Sequence, residues 1–403
     1  MATWTVTTKT MAILEETGPS HAGSLLTIDL DAIGANYRLL AERAHPAACA
    51  AVVKADAYGL GVGPVAQLLA RQGCETFFVA HLDEAIELRG VLPRVDSADI
   101  YILNGLLSGE EAIFHAHGLR PVLNDLGQID RWSRYCSGES TPLPAAIQLD
   151  TGMSRLGLPL SEQAVLFAQP DLAARFQLSL VMSHLACADT PEHPLNRTQQ
   201  REFSKAIEHF PGVPASIAAS SGVFLGPDWR FDMVRPGVCL YGVKPNDSGP
   251  NPMAQVIRLQ GIILQIHDVD TPRTVGYGAS HRIGGPTRIA TVAAGYADGL
   301  LRILSNRGVA HVGEIALPIL GRVSMDLITL DLSPLGNATE TGGAVTPLQP
   351  GDLVDLIGPY RDVDAVAADA DTIGYEILTS LGSRYRRRYI GAPSAPSIAE
   401  AHA

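Results

Sequence analysis

Lys54 closes the apolar run Ala50-Ala51-Val52-Val53 and opens the segment Lys54-Ala55-Asp56-Ala57-Tyr58-Gly59-Leu60-Gly61. An amine at the mouth of a buried strand is partly desolvated, which lowers its pKa and frees its lone pair for attack on a carbonyl. A strand-end lysine can also be a snorkelling residue with no chemistry, so its companions decide. Polar residues close later apolar runs in the same way: Asp150 and Arg155, His184, Ser220 with Ser221, and Arg235 followed by Gly237 and Val238. Each has an ordinary reading alone: Arg155 as a loop residue, His184 as a satisfied core histidine, Ser220-Ser221 as a helix cap. Their recurrence at one end of successive runs points to a shared site.

The elements that must position these residues are legible as periodicity. Eight short apolar runs, 49–54, 76–81, 99–104, 120–124, 145–150, 177–184, 215–220 and 232–240, alternate with amphipathic segments of helical spacing. That alternation predicts a (β/α)8 TIM-like barrel of the α/β class over residues 25–248, in which reacting groups sit past the carboxyl ends of the strands. After residue 250 the pattern changes to alternating or short apolar runs at 256–266, 289–294, 315–320 and 351–357, which predicts a β-rich C-terminal domain over 249–392. Within it 334–350 reads as a loop and 370–381 as one late helix. Residues 1–24 are expected to be an extension without fixed structure, and 393–403 a tail.

Composition limits the partners. With 403 residues, 46% hydrophobic and 18% charged, the chain has enough apolar content for two cores. A formal charge of -12 disfavours nucleic acid and anionic membranes. The five cysteines are scattered and form no Cys-x-x-Cys pair, which suits a reduced, cytoplasmic protein. No stretch is long and apolar enough to span a bilayer, and the first residues lack a secretory pattern. His115-Ala116-His117 reads as a helix end and not a metal site, and the arginines of 384–389 as a domain or subunit surface.

Loops after the seventh and eighth strands of such barrels commonly bind phosphate, and here they hold Ser220-Ser221-Gly222 and Arg235-Pro236-Gly237-Val238. Backbone N–H groups of Gly237 and Val238 with the Ser221 hydroxyl suit a phosphate. A carbonyl-reactive lysine and a phosphate site on one face point to pyridoxal 5'-phosphate. A phosphosugar aldolase or isomerase barrel uses similar parts but leaves the β-rich domain unexplained.

Six blocks in order carry a resemblance to a known family: Val52-Val53-Lys54-Ala55-Asp56-Ala57-Tyr58-Gly59, Asp150-Thr151-Gly152-Met153-Ser154-Arg155-Leu156-Gly157, Met233-Val234-Arg235-Pro236-Gly237, Val275-Gly276-Tyr277-Gly278, Gly295-Tyr296-Ala297-Asp298-Gly299 and Gly321-Arg322-Val323-Ser324-Met325-Asp326. Over about residues 25–390 the chain resembles the alanine racemases, pyridoxal-phosphate isomerases with a barrel and a C-terminal β domain. The resemblance implies that Lys54 carries the cofactor covalently and that Tyr58, Ser221, Gly237, Val238 and Tyr375 hold its phosphate. It implies Arg235 at the pyridine nitrogen, with His184 in the same network. Lys54 and Tyr277 would be the two bases on opposite faces of the substrate carbon. Arg155 and the Met325 N–H would bind the substrate carboxylate, and a head-to-tail homodimer would complete each site with the partner's β domain. Serine as substrate, or a decarboxylase of the same architecture, are the alternatives; Arg235 in place of a carboxylate argues against the second. The sequence departs from the family at Gln148, where many members have a lysine that orients the carboxylate-binding arginine, at Ser220 for a common asparagine, and at Ser324 for a common cysteine.

Overall fold

Ser24-Leu25-Leu26-Thr27-Ile28-Asp29 alternates buried and half-buried residues, the period of a strand covered on one face. In the computed structural model, which describes residues 13–92, 98–340 and 347–391, it is the second strand, β2 (Ser24–Asp29), after β1 (Ile13–Thr17). The helix α1 (Leu30–Ala44) follows. The chain divides into two compact units: one runs from Ile33 to Met253, and the other combines the residues up to Ala32 with those from Ala254 onward.

The first unit contains the eight strands expected from the sequence. They are β3 (Ala48–Cys49) continuing as β4 (Ala51–Val52), β5 (Thr76–Val79), β6 (Asp99–Ile102), β7 (Arg120–Leu123), β8 (Pro144–Gln148), β9 (Gln177–Met182), β10 (Ala215–Ser216) and β11 (Met233–Val234). Strands β4 to β10 form one parallel sheet in sequence order. Closure is made by the Ala219–Arg235 bridge and by β11 pairing with β3, Met233 opposite Ala48 and Val234 opposite Cys49. Phe77, Phe78, Ile100, Val122, Leu123, Ile147 and Leu180 are fully buried, as strands covered on both faces require. Helix α2 (Val62–Arg71) follows the first strand, and α3 (Leu82–Val91) the second.

The second unit is built around a 13-residue strand, β12 (Ile257–Val269). Its first half pairs antiparallel with β2 and with Leu353–Ile357, its second half with Thr287–Val292. A register shift between Ile263 and Gln265 marks the change of partner. The expected strands at 256–266, 289–294, 315–320 and 351–357 are present.

Three sequence expectations differ from this architecture. Residues 1–24 were expected as an extension and the barrel from 25, yet Ile13–Thr17 pairs with the strand Arg386–Ile390 and Ser24–Asp29 with both that strand and β12. Glu16 accepts from Arg388 at 2.8 Å and also pairs with Arg386, so two arginines of the 384–389 cluster anchor the N-terminal strand. The 334–350 loop contains a helix, Ser333–Glu340, with 341–346 outside the described residues. The one helix expected at 370–381 is shorter, Gly374–Thr379, and an unexpected helix, Val363–Asp369, precedes it: Asp362 caps the earlier one, and Asp371 at φ +51° separates the two. The tail from 393 also lies outside the described residues.

Candidate active site

Lys54 stands just past the end of β4, and the four residues after it, Ala55, Asp56, Ala57 and Tyr58, all have φ between 53° and 57°. This is a left-handed turn made without glycine, and each such residue costs roughly 1–2 kcal/mol relative to a right-handed one. Side chains hold it in place. The Glu84 carboxylate accepts from the Ala55 N–H at 2.7 Å, and the Asp56 carboxylate accepts from Val62 N–H at 2.7 Å. The turn buries Tyr58, whose ring lies 4.8 Å from that of Tyr241, and the Tyr241 hydroxyl donates to the Val52 carbonyl at 3.0 Å.

Tyr58 therefore meets Gly237. A Cβ built on Gly237 would lie 2.4 Å from the Tyr58 hydroxyl and 3.2 Å from the Val52 Cβ, so this position must be glycine for the tyrosine to reach it. The Gly237 N–H, expected as a phosphate donor, donates instead to the Ser220 Oγ at 2.9 Å, and the Cys239 N–H reaches the same oxygen at 3.2 Å. Gly237 shapes the cradle by its missing side chain, and Ser220 fixes the loop. Ser221 opens the short helix Ser221–Phe224 beside it, and Val238 opens another, Val238–Tyr241. Two hydroxyls, a helix-opening N–H and a space that a Cβ would fill make a cradle with the chemistry of a phosphate site.

Arg235 is buried and committed on two of its nitrogens: one donates to the Ser183 carbonyl at 2.6 Å, another to the Ser216 hydroxyl. Burial pulls the Arg235 pKa down but leaves it a cation at neutral pH. His184, whose carbonyl accepts from Gln199 at 2.8 Å, is pushed down to about 3 by burial first and then by Arg235, Arg155 and Lys54. It is a neutral imidazole at working pH. The pKa of Lys54 is lowered by burial and by Arg155, with Glu84 opposing. Three cations and a neutral histidine thus share one face of the barrel, a field that attracts anions and favours the free amine.

Arg155 is carried by a loop tied down through its backbone. The Asp150 carboxylate accepts from the N–H groups of Gly152, Met153 and Ser154 at 2.9 to 3.1 Å. Gln163 donates to the carbonyls of Asp150 and Leu158, and buried Gln148 donates to the Leu156 carbonyl at 3.0 Å. Gln148 therefore holds the residue after Arg155 by its backbone, and Arg155 itself is exposed.

The remaining expected residues belong to the β unit. Tyr277 is 71% exposed between Gly276 and Gly278, at φ +71° and +69°. A Cβ on Gly278 would lie 3.0 Å from the Arg322 guanidinium, so the backbone packs on Arg322 and leaves the tyrosine outward. Met325 is also exposed; its carbonyl accepts from the Ala297 N–H at 2.9 Å, and a Cβ on Gly295 would lie 2.3 Å from that oxygen. Tyr375 is partly exposed at the start of Gly374–Thr379. His115 and His117 sit at the end of Glu111–Ala116, and no group of metal-ligating side chains occurs among the described residues.

Family models for the alanine racemase N-terminal domain and the alanine racemase C-terminal domain match residues 28–245 and 256–389. The chain belongs to the alanine racemase family. It is 48% identical over 372 residues to the alanine racemase of Rhodospirillum rubrum, covering 92% of this chain and 97% of that one. It is 47% identical to the catabolic alanine racemase of Agrobacterium fabrum, covering 96% and 98%. Among solved structures, the alanine racemase of Bartonella henselae with covalently bound pyridoxal phosphate superposes with a TM-score of 0.86 at 41% identity, covering 92% of this chain and all of that one. The biosynthetic alanine racemase of Pseudomonas aeruginosa gives 0.82 at 32% identity, covering 91% and 99%. Sequence reasoning missed Glu84, Ser183, Ser216 and Tyr241, which hold the turn after Lys54, the Arg235 guanidinium and the Tyr58 ring. Glu84 alone left a signal, as the third residue of a helix beginning after His81.

Proposed function

We propose that the protein interconverts L- and D-alanine with pyridoxal 5'-phosphate, Lys54 and Tyr277 acting as the two bases. The convergence of Lys54, Arg155, neutral His184 and Arg235 beside the Tyr58–Gly237 cradle carries this reading. Tyr58, Ser221 and Val238 would hold the phosphate, with Gly237 leaving room for the Tyr58 hydroxyl beside it, and Arg235 would face the pyridine nitrogen. The cofactor supplies an electron sink for the substrate Cα when bound.

The chain's own residues then set the outcome. Arg235 remains a cation and gives up no proton, so the ring is a weaker sink than a carboxylate partner would make it, which favours rapid proton return over decarboxylation. Arg155 offers a planar fork to the substrate carboxylate, and the Met325 N–H a second donor. Lys54 is disposed toward the free amine by burial and by Arg155, so it can take a proton from one face of the Cα. Tyr277 serves the opposite face. Its exposure, with that of Tyr296 and Met325, supports a second copy of the chain as the molecule it completes, giving a head-to-tail homodimer. The five cysteines are all free, which supports a cytoplasmic setting; no helix among the described residues is long and apolar enough to cross a membrane.

The test is solvent-deuterium incorporation at the Cα from each enantiomer in wild type and Tyr277→Phe. Exchange of alanine in both directions by wild type, with the variant slowed much more from one enantiomer than from the other, is expected. Equal small losses in both directions contradict the two-base assignment.

A further inference from the structure

Glu84, on a different element and thirty positions after Lys54, reaches the turn that follows the lysine. One carboxylate oxygen accepts from the Ala55 N–H at 2.7 Å, the peptide N–H that directly follows Lys54. The other accepts from the Ala80 N–H at 2.7 Å and the His81 N–H at 3.1 Å, in the connection between β5 and α3. A helix of this kind needs only the His81 bond to satisfy its first turn; the reach to Ala55 is additional. Because Ala55 begins the run of left-handed residues, its N–H points along a direction that an ordinary strand-to-helix turn would not offer.

We propose that Glu84 is a positioning residue for Lys54, clasping the left-handed turn to the adjacent strand-helix connection and so fixing where the lysine amine stands. The inference rests on Lys54 being the cofactor lysine. Its negative charge also acts on that amine directly, being the one influence on Lys54 that opposes burial and Arg155. An amide cannot replace the carboxylate. With N–H donors on both oxygens, either orientation of a glutamine sets its NH2 group against at least one of them.

Glu84→Gln holoenzyme is compared with wild type by amide hydrogen exchange at Ala55, by the rate of cofactor loss, and by kcat and KM in both directions. In wild type the Ala55 amide is expected to be protected. In the variant its exchange and the cofactor loss quicken about ten-fold or more, and kcat falls about ten-fold in both directions with KM nearly unchanged, as expected of a base displaced from its geometry. A variant that loses thermal stability alone, with Ala55 exchange and kcat unchanged, reduces Glu84 to a helix cap and overturns the proposal. Should the variant fail to fold, an Ala55 amide that exchanges in wild type at the rate of an exposed peptide overturns it equally. Lys54→Ala keeps the two questions apart: retention of the bound-cofactor absorbance in that variant removes the Lys54 assignment, whereas an unchanged Glu84→Gln removes only the clasp.

Discussion

Gly237→Ala isolates the cradle from the chemistry. The substitution adds one methyl group at a position whose φ is negative, so it probes the space beside Tyr58. The new Cβ would stand 2.4 Å from the Tyr58 hydroxyl and 3.1 Å from its Cζ, roughly 1 Å inside ordinary contact. Relief requires Tyr58 to withdraw, and its ring is wedged against Tyr241 at 4.8 Å, so the strain falls within the usual overpacking cost of about 1–3 kcal/mol. Withdrawing that hydroxyl from an anion forfeits a charge-assisted hydrogen bond of similar size. Cofactor affinity is therefore expected to fall between about ten- and one-hundred-fold, at about 1.4 kcal/mol for each factor of ten. The assay is equilibrium binding of pyridoxal phosphate to apoprotein, followed by absorbance. Gly90→Ala, where a Cβ meets nothing within 4 Å, is the control and should bind as wild type. An affinity for Gly237→Ala within two-fold of wild type would refute the cradle.

Replacing Gln148 by leucine leaves the Leu156 carbonyl without its buried donor, so the Arg155 loop should loosen by about 1 kcal/mol; steady-state kinetics should show KM for alanine rising several-fold with kcat nearly constant, and an unchanged KM would show that Gln148 does not position Arg155. His184, neutral in the folded protein down to about pH 3 but protonated below 6.5 when unfolded, makes the unfolded state bind the extra proton in that window. Stability is thus present above pH 6.5 and lost as pH falls toward 3, by up to about 1.4 kcal/mol per unit. Urea midpoints at pH 7 and 5 should show a loss near 2 kcal/mol that His184→Gln reduces, and identical slopes in the two proteins would contradict a neutral imidazole in the folded state.

The barrel strands were legible because strands covered on both faces are unbroken apolar runs, and all eight occur where those runs lie. The polar residues that end them were legible for the same reason, since a barrel places strand ends on one face. What escaped was long-range pairing. Ile13–Thr17 looked unstructured because its burial is small and its hold is Glu16 reaching Arg386 and Arg388, about 370 residues away. The left-handed turn after Lys54 left little mark either: Ala55, Ala57 and Tyr58 are not residues that announce positive φ, and the Glu84 and Asp56 carboxylates that impose it act on backbone N–H groups. Gln148, where many family members have a lysine, left open from the sequence how Arg155 is held; its amide takes a backbone partner on the loop that Arg155 occupies.

The central claim is that the Lys54 amine forms the covalent link to the cofactor. Reduction of the holoenzyme with borohydride, proteolysis and mass spectrometry should find the pyridoxyl group on the peptide containing residue 54, and Lys54→Ala should lose both that adduct and the visible absorbance. An adduct on another lysine, or absorbance unchanged in Lys54→Ala, would contradict the account.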